Sequence, residues 1–165
     1  MSFLDSATDS KQATRRPLYI FLIATLGVGA LASLFTTPEI PTWYTGLNHP
    51  AITPPNWVFA PVWTTLYVLM GFAAWRVWKR AGTSSVEMGA FALQLGLNFL
   101  WSALFFGLHR IGAALIEIAV LDLAILAMLV LFIRRDRLAG LLLLPYLAWT
   151  LFATVLTHAF WKLNG

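Results

Sequence analysis

The chain has 165 residues, of which 59% are hydrophobic and only 11% charged, where a soluble domain carries about 25%. Mean hydropathy is +0.76, and the few charges fall outside the apolar runs. These values exclude a disordered chain, a coiled coil and an ordinary cytosolic enzyme, and they describe an integral membrane protein. The net charge of +4 does not argue for nucleic acid as a partner, because the basic residues sit at the ends of apolar segments. There is no cysteine, which removes disulfides, thiolate metal sites, cysteine nucleophiles and palmitoyl anchors together.

Residues 1–16 carry Asp5, Asp9, Lys11, Arg15 and Arg16 without an apolar period, and they read as a flexible tail ahead of a transmembrane domain over 17–165. A bilayer core about 30 Å thick needs roughly 20 apolar residues per helix, and five segments qualify: 18–36, 57–78, 88–108, 111–133 and 138–161. The expected fold is therefore all-α, a bundle of five transmembrane helices. In the first segment Ala30-Leu31-Ala32 also resembles a signal-peptide cleavage site. The competing reading is helix packing, since Thr25, Gly29 and Ser33 fall at small-xxx-small spacing.

Between the first and second segments lies the only long loop, and six of the eight prolines fall between Pro38 and Pro61. Proline fixes φ and narrows the unfolded ensemble. This loop should be a rigid, folded cap, and with Trp43 and Tyr44 in it, a lid. In the second segment Trp57 and Trp78 are 21 residues apart, about 31 Å along a helix, as interfacial tryptophans require. Trp43 and Trp161 fit the same belt.

The third segment places Gln94, Asn98 and Ser102 on one face at i, i+4, i+8. In the fourth, Glu117 and Asp122 are ionisable groups at membrane depth, costly unless paired or hydrated. They stand about 140° apart around the helix, so both cannot line one narrow site. At least one is expected to be protonated or hydrogen-bonded across the bundle. The fifth segment repeats the polar pattern with Thr150, Thr154, Thr157 and His158, and Pro145 is a candidate kink. For most of these polar residues the simpler role is interhelical hydrogen bonding; the sharper one is a central cavity. Trp63, Trp101 and Trp149 sit deep, where an indole N–H needs a partner. Trp63 with Tyr67, and Trp149 with Ala153, share faces that would wall a flat aromatic ligand.

Topology follows from counting cations by side. Lys11, Arg15, Arg16, Arg76, Lys79, Arg80, Arg134, Arg135 and Arg137 lie on one side, and Arg110 and Lys162 on the other. The bias puts the N-terminus in the cytoplasm. His49, His109 and His158 show no metal-ligand spacing, and no triad or acid–base pair is present to support dark catalysis.

The run Trp43-Tyr44-x-x-Leu47-x-x-Pro50-x-x-x-Pro54-Pro55, followed by Val62-Trp63-Thr64 and Leu66-Tyr67, resembles the translocator protein family. Its members are also called tryptophan-rich sensory proteins or peripheral-type benzodiazepine receptors. The resemblance continues through Gln94-Leu95-x-Leu97-Asn98-x-x-Trp101, Phe105-Phe106-Gly107, Pro145-Tyr146-Leu147-Ala148-Trp149 and Phe152-Ala153-Thr154, covering roughly residues 18–162. It implies a five-helix bundle, commonly a homodimer, with a pocket under the first loop for porphyrins, sterols or synthetic benzodiazepine-type ligands. Trp63 and Trp149 match two pocket tryptophans that the resemblance associates with light- and oxygen-dependent porphyrin breakdown. Tyr44, Tyr67, Asn98, Trp101 and Ala153 match other pocket positions.

No cofactor is implied beyond porphyrin as ligand, and the partners implied are a hydrophobic small molecule, the bilayer and a second copy. His49 and Ile52 depart from a common lysine and tryptophan. Thr157-His158 replaces the Asn-Tyr pair of mammalian members, leaving Phe160 and Lys162 as a weak substitute for a sterol motif, so porphyrin is the better expectation. The alternative is a transporter or channel, proton-coupled through Glu117. A bacterial cell membrane is the expected address, with an outer membrane as the alternative.

Overall fold

The computed structural model describes the backbone of residues 3–165 and the side chains of residues 16–165. Among the described residues the regular structure is all helical. We number the helices α1 (Phe3–Glu39), α2 (Phe59–Ala81), α3 (Val86–Ser102), α4 (Ile111–Arg135), α5 (Arg137–Leu141) and α6 (Leu144–Asn164). They make five spans long and apolar enough to cross a membrane, α5 and α6 together forming the fifth. The chain is an integral membrane bundle of five spans.

The boundaries differ from expectation in three places. From Phe3 onward the backbone of the expected tail continues α1 as helix through Pro17; Met1 and Ser2, and the side chains up to Arg15, lie outside the described residues. The third span ends in a π-helical turn, Ala103–Gly107, closed by Leu108 N–H donating to Ala103 O at 2.8 Å. The fifth span is not one helix. Pro145 has no N–H to give to Leu141, so the ladder breaks there, and Leu143 N–H reaches Gly140 O instead at 3.0 Å.

Local chemistry explains the remaining ends. Gly82 closes α2 at φ +76° with its N–H on Trp78 O, a left-handed position that favours glycine. Ser85 caps α3 by accepting Met88 N–H, with Glu87 in the first turn, where the helix dipole favours an anion.

Packing runs around a ring, with α1 against α2 and α3, α4 against α3 and α6, and α2 against α6. The α1–α2 crossing is close because Gly71 faces Thr25: a Cβ on Gly71 would stand 2.9 Å from Thr25 Oγ1. Thr25 is fully buried, so the small-residue spacing on α1 serves packing within one chain.

The end that carries most of the cations is knit by ion pairs. Arg76 and Arg80 reach Asp136 Oδ2 at 2.8 and 3.1 Å, and Arg135 reaches Glu87 at 2.8 Å. Asp136 also caps α5, accepting Leu138 and Ala139 N–H. Burial pushes its carboxyl up, but the Ala139 N–H and the two guanidinium groups outweigh that and hold it below the usual carboxylate range.

Candidate functional site

The opposite half of the bundle holds a cavity of about 490 Å³, lined by all five spans and the first loop and open on one side, where Ala30, Ser33, Ala60 and Thr64 are exposed. Its wall is built from aromatic side chains on turns of α2, α3 and α6 that face inward. Trp63 and Tyr67, one turn apart on α2, stack with ring centroids 5.6 Å apart and planes 30° from parallel. Trp149 on α6 is wedged between Phe59, edge-on at 5.9 Å, and Phe152, tilted at 5.5 Å. Trp101 lies on Phe105 at 5.2 Å and 21°. The π-helical turn matters here, because its wider coil turns both Phe105 and Phe106 into the interior, 2% and 8% exposed.

A hydrogen-bonded chain makes the floor. Tyr67 Oη donates to Asn98 Oδ1 at 2.6 Å, Asn98 Nδ2 to Tyr146 Oη at 3.1 Å, and Tyr146 Oη to Gln94 Oε1 at 2.9 Å. Gln94 Nε2 then reaches Phe91 O and the sulfur of Met70, both at 3.1 Å. The polar stripe on the third span thus has two uses. Gln94, with no exposure, is bonding between helices; Asn98 and Ser102 also face the cavity.

The first loop is folded over the top, as its prolines require. Tyr44 is 5% exposed and packs among Phe106, Phe160 and His49. Burial raises its phenol above the ordinary value, so it stays neutral. His49 Nε2 lies 3.0 Å from Tyr44 O, and Asn48 and Asn164 exchange backbone and amide hydrogen bonds at 2.8 and 3.1 Å. At the loop's other end Trp43 stacks on His109 at 4.3 Å and 13°, while His109 Nε2 sits 3.0 Å from Glu39 Oε2. His109 adopts φ +54° to reach that place. Trp43 is therefore a loop anchor, not a member of the belt, whereas Trp57 and Trp161 are well exposed.

Tyr44, Trp63, Tyr67, Asn98, Trp101, Trp149 and Ala153 all line this one cavity. Sequence reasoning did not single out Phe59, Ile118, Leu121 or Gly29, which line it too. Gly29 had a signal, since it belongs to the small-residue stripe. Its role is to admit the Tyr67 ring: a Cβ there would lie 2.5 Å from Tyr67 Cε2. His158 is a correction, for it is exposed and not on the inward face with Thr150 and Thr157. The acids behave differently from each other. Asp122 Oδ2 accepts Thr154 Oγ1 at 2.6 Å across the α4–α6 contact, as expected of one of the pair. Glu117 is 7% exposed, and among the described residues neither of its carboxylate oxygens has a partner. Among the described residues no three His, Asp or Glu side chains gather to hold a metal ion.

The arrangement can enclose a flat, mainly apolar molecule between aromatic rings and offer it few polar contacts, under a loop latched to the end of α6. The model of the TspO/MBR family matches residues 20–162. The chain is 45% identical over 145 residues to the tryptophan-rich protein TspO of Archaeoglobus fulgidus, covering 87% of this chain and 94% of that one. It is 39% identical over 138 residues to the human translocator protein, with 81% and 82% covered. Over 147 residues it is 38% identical to the tryptophan-rich sensory protein of Cereibacter sphaeroides, with 89% and 91% covered. With nearly the whole bundle matched, the chain belongs to the TspO/MBR family.

Proposed function

We propose that this membrane protein is a receptor or sensor that takes a tetrapyrrole such as protoporphyrin into the cavity under the first loop. The observation that carries this reading is one partly open cavity of about 490 Å³ walled by Trp63, Tyr67, Trp101 and Trp149. Ligand pockets run from about 300 to 1,000 Å³, mostly apolar with a few placed polar groups, and planar rings gain from offset stacking. The sensory name of one relative supports the same reading.

Light-dependent porphyrin breakdown is the enzymatic extension. Excited porphyrin and dioxygen would supply the oxidising chemistry, with the protein holding the ring as it holds a cofactor and Trp63 and Trp149 placed to donate an electron. The test is a protoporphyrin titration of purified protein, in darkness and then under illumination, on the native chain and on Trp63→Phe/Trp149→Phe. Saturable dark binding with light-driven porphyrin loss that the double variant abolishes supports both parts. Binding without loss leaves a receptor, and no saturable binding sinks the reading.

A second reading, transport coupled to protons, is favoured by Glu117, whose buried carboxylate has no partner in the bundle. Such groups in membrane interiors mark ion and proton paths. Liposome flux abolished in Glu117→Gln supports it; unchanged flux, or none in the native chain, removes it. The positive-inside bias supports a cytoplasmic N-terminus, and the all-helical spans support a bacterial cell membrane as the address, with an outer membrane the alternative. For a homodimer, Gly89 and Gly96 on α3 leave open space around them, and with Ala92 they supply the small-residue face that helix pairs use. Gly96→Cys in this cysteine-free chain would cross-link across such an interface.

A further inference from the structure

Trp149 has two sides. Its inner side lines the cavity, and its outer side lines a groove of about 500 Å³ between α2 and α6. The other walls of the groove are Pro61, Val62, Thr65, Leu66 and Leu69 on α2, and Pro145 and Ala148 on α6. Pro61, Thr65, Pro145 and Ala148 are exposed, so the groove faces outward from the bundle. Thr65 is its one hydroxyl, and that donates to Pro61 O at 2.8 Å. Apart from the indole N–H of Trp149, the side chains that line it are otherwise apolar.

Depth and surroundings identify the occupant. Trp149 is 12 residues from Arg137 in a span ending at Asn164, about 18 Å up from that end, which is mid-bilayer. At that level the material outside the protein is hydrocarbon. The groove exists because the helices cannot close it. Pro145 interrupts the fifth span beside it, and Ala148 and Thr65 are too small to fill the gap.

We propose that the α2–α6 groove is a second ligand site, taken by one acyl chain of a membrane lipid, and that its occupancy tunes the inner cavity through Trp149. The chain presses on the outer face of the indole whose inner face the cavity ligand meets. Filling the groove holds Trp149 in its wedge between Phe59 and Phe152; emptying it frees the ring to move outward. The coupling half rests on the reading of the cavity as a porphyrin pocket, and the site itself does not.

The experiment uses the full chain in bilayers of phospholipid brominated at mid-chain, with tryptophan emission as readout. The part of the emission that Trp149→Phe removes is the signal of Trp149. One groove-bound chain quenches that signal in direct proportion to the brominated fraction, whereas a lipid-facing residue touched by several chains responds more steeply. Ala148→Phe fills the groove and is expected to abolish the quenching. Thr65→Leu enters from the other wall and serves the same purpose where Ala148→Phe does not fold. A Trp149 signal insensitive to brominated lipid, or a steep response unchanged by both variants, overturns the site.

For the coupling, protoporphyrin affinity is compared between the native chain and the groove-filling variants in one bilayer. Coupled sites usually shift affinity about fivefold or more, and we expect at least that. Equal affinities overturn the coupling. Failure of the native chain to bind protoporphyrin would overturn the proposed function instead, while the quenching result still decides the groove.

Discussion

Tyr67 donates to Asn98 at 2.6 Å from the floor of the cavity, and the same Asn98 donates to Tyr146 on α6. Three spans are thus held at fixed separation by side chains that one of them shares with the ligand space. Tyr67→Phe removes the donor and leaves Asn98 Oδ1 buried and unpaired. That costs about 1–3 kcal/mol, visible as a lower thermal midpoint.

Gly29 admits the Tyr67 ring, so Gly29→Ala pushes that ring off its stack with Trp63. Overpacking of this kind costs about 1–3 kcal/mol. Gly27, with open space around it, is the control: Gly27→Ala should leave the midpoint unchanged or raise it slightly, because alanine is the better helix former. Thermal unfolding of the two variants in one detergent checks the contrast.

Much of this was legible in the residues, and the reasons are specific. Five apolar runs of membrane length leave little choice of fold, and the depth of Trp63, Trp101 and Trp149 pointed to an interior, although among the described residues the buried indole N–H of Trp101 lacks the partner that the same argument expected. The period from Gln94 through Asn98 to Ser102 marked the inward face of α3 before any contact was known. What stayed hidden depends on contacts distant in sequence. The π-helical turn at Ala103–Gly107 leaves no local pattern, and it decides that both Phe105 and Phe106 point inward. Glu39, Trp43 and His109 meet only once three elements have packed. His158 follows Thr157 on α6, yet the 100° between neighbours on a helix is enough to carry it out of the bundle.

Asp136 gathers Arg76, Arg80 and the first turn of α5 at one carboxylate. Its folded pKa lies below the ordinary value, so its contribution to stability is fully present above the unfolded pKa of about 3.9. It is lost as the pH falls through the lower folded value. Asp136→Asn keeps an oxygen to cap α5 but removes the charge, and should therefore lower the thermal midpoint at neutral pH, by about 1–3 kcal/mol from the lost pairing with Arg76 and Arg80. The gap between native and variant should narrow below pH 4. A gap that stays constant down to acid pH would show that the carboxylate's charge plays no part.

The lid is tied to α6 by the Asn48–Asn164 exchange. Asn164→Ala removes both side-chain bonds from that latch at about 1 kcal/mol each, with the buried core beneath left in place. The expected outcome is faster hydrogen exchange and faster proteolysis within residues 40–55, with little change in the α3–α4 helices. Local opening of this kind draws on few buried contacts. On the proposed function, protoporphyrin should leave the variant faster than it leaves the native chain, because the loop lies over the cavity.

Glu117 and Asp122 provide the last contrast. Asp122 accepts a hydrogen bond from Thr154, whose hydroxyl also reaches Thr150 O at 3.0 Å, so Asp122→Ala removes one bond between α4 and α6 and should destabilise the bundle by about 1 kcal/mol. Glu117 is buried with nothing to bond, and polar groups in that position are a net cost. Glu117→Leu should therefore hold or raise the thermal midpoint in detergent. If Glu117→Leu instead destabilises the protein as much as Asp122→Ala does, the carboxyl has a partner of its own, and an ion or proton held at α4 becomes the feature to pursue. The comparison therefore bears directly on transport: a carboxyl that weakens the bundle by its presence, and whose replacement abolishes flux, is kept for its chemistry and not for its packing.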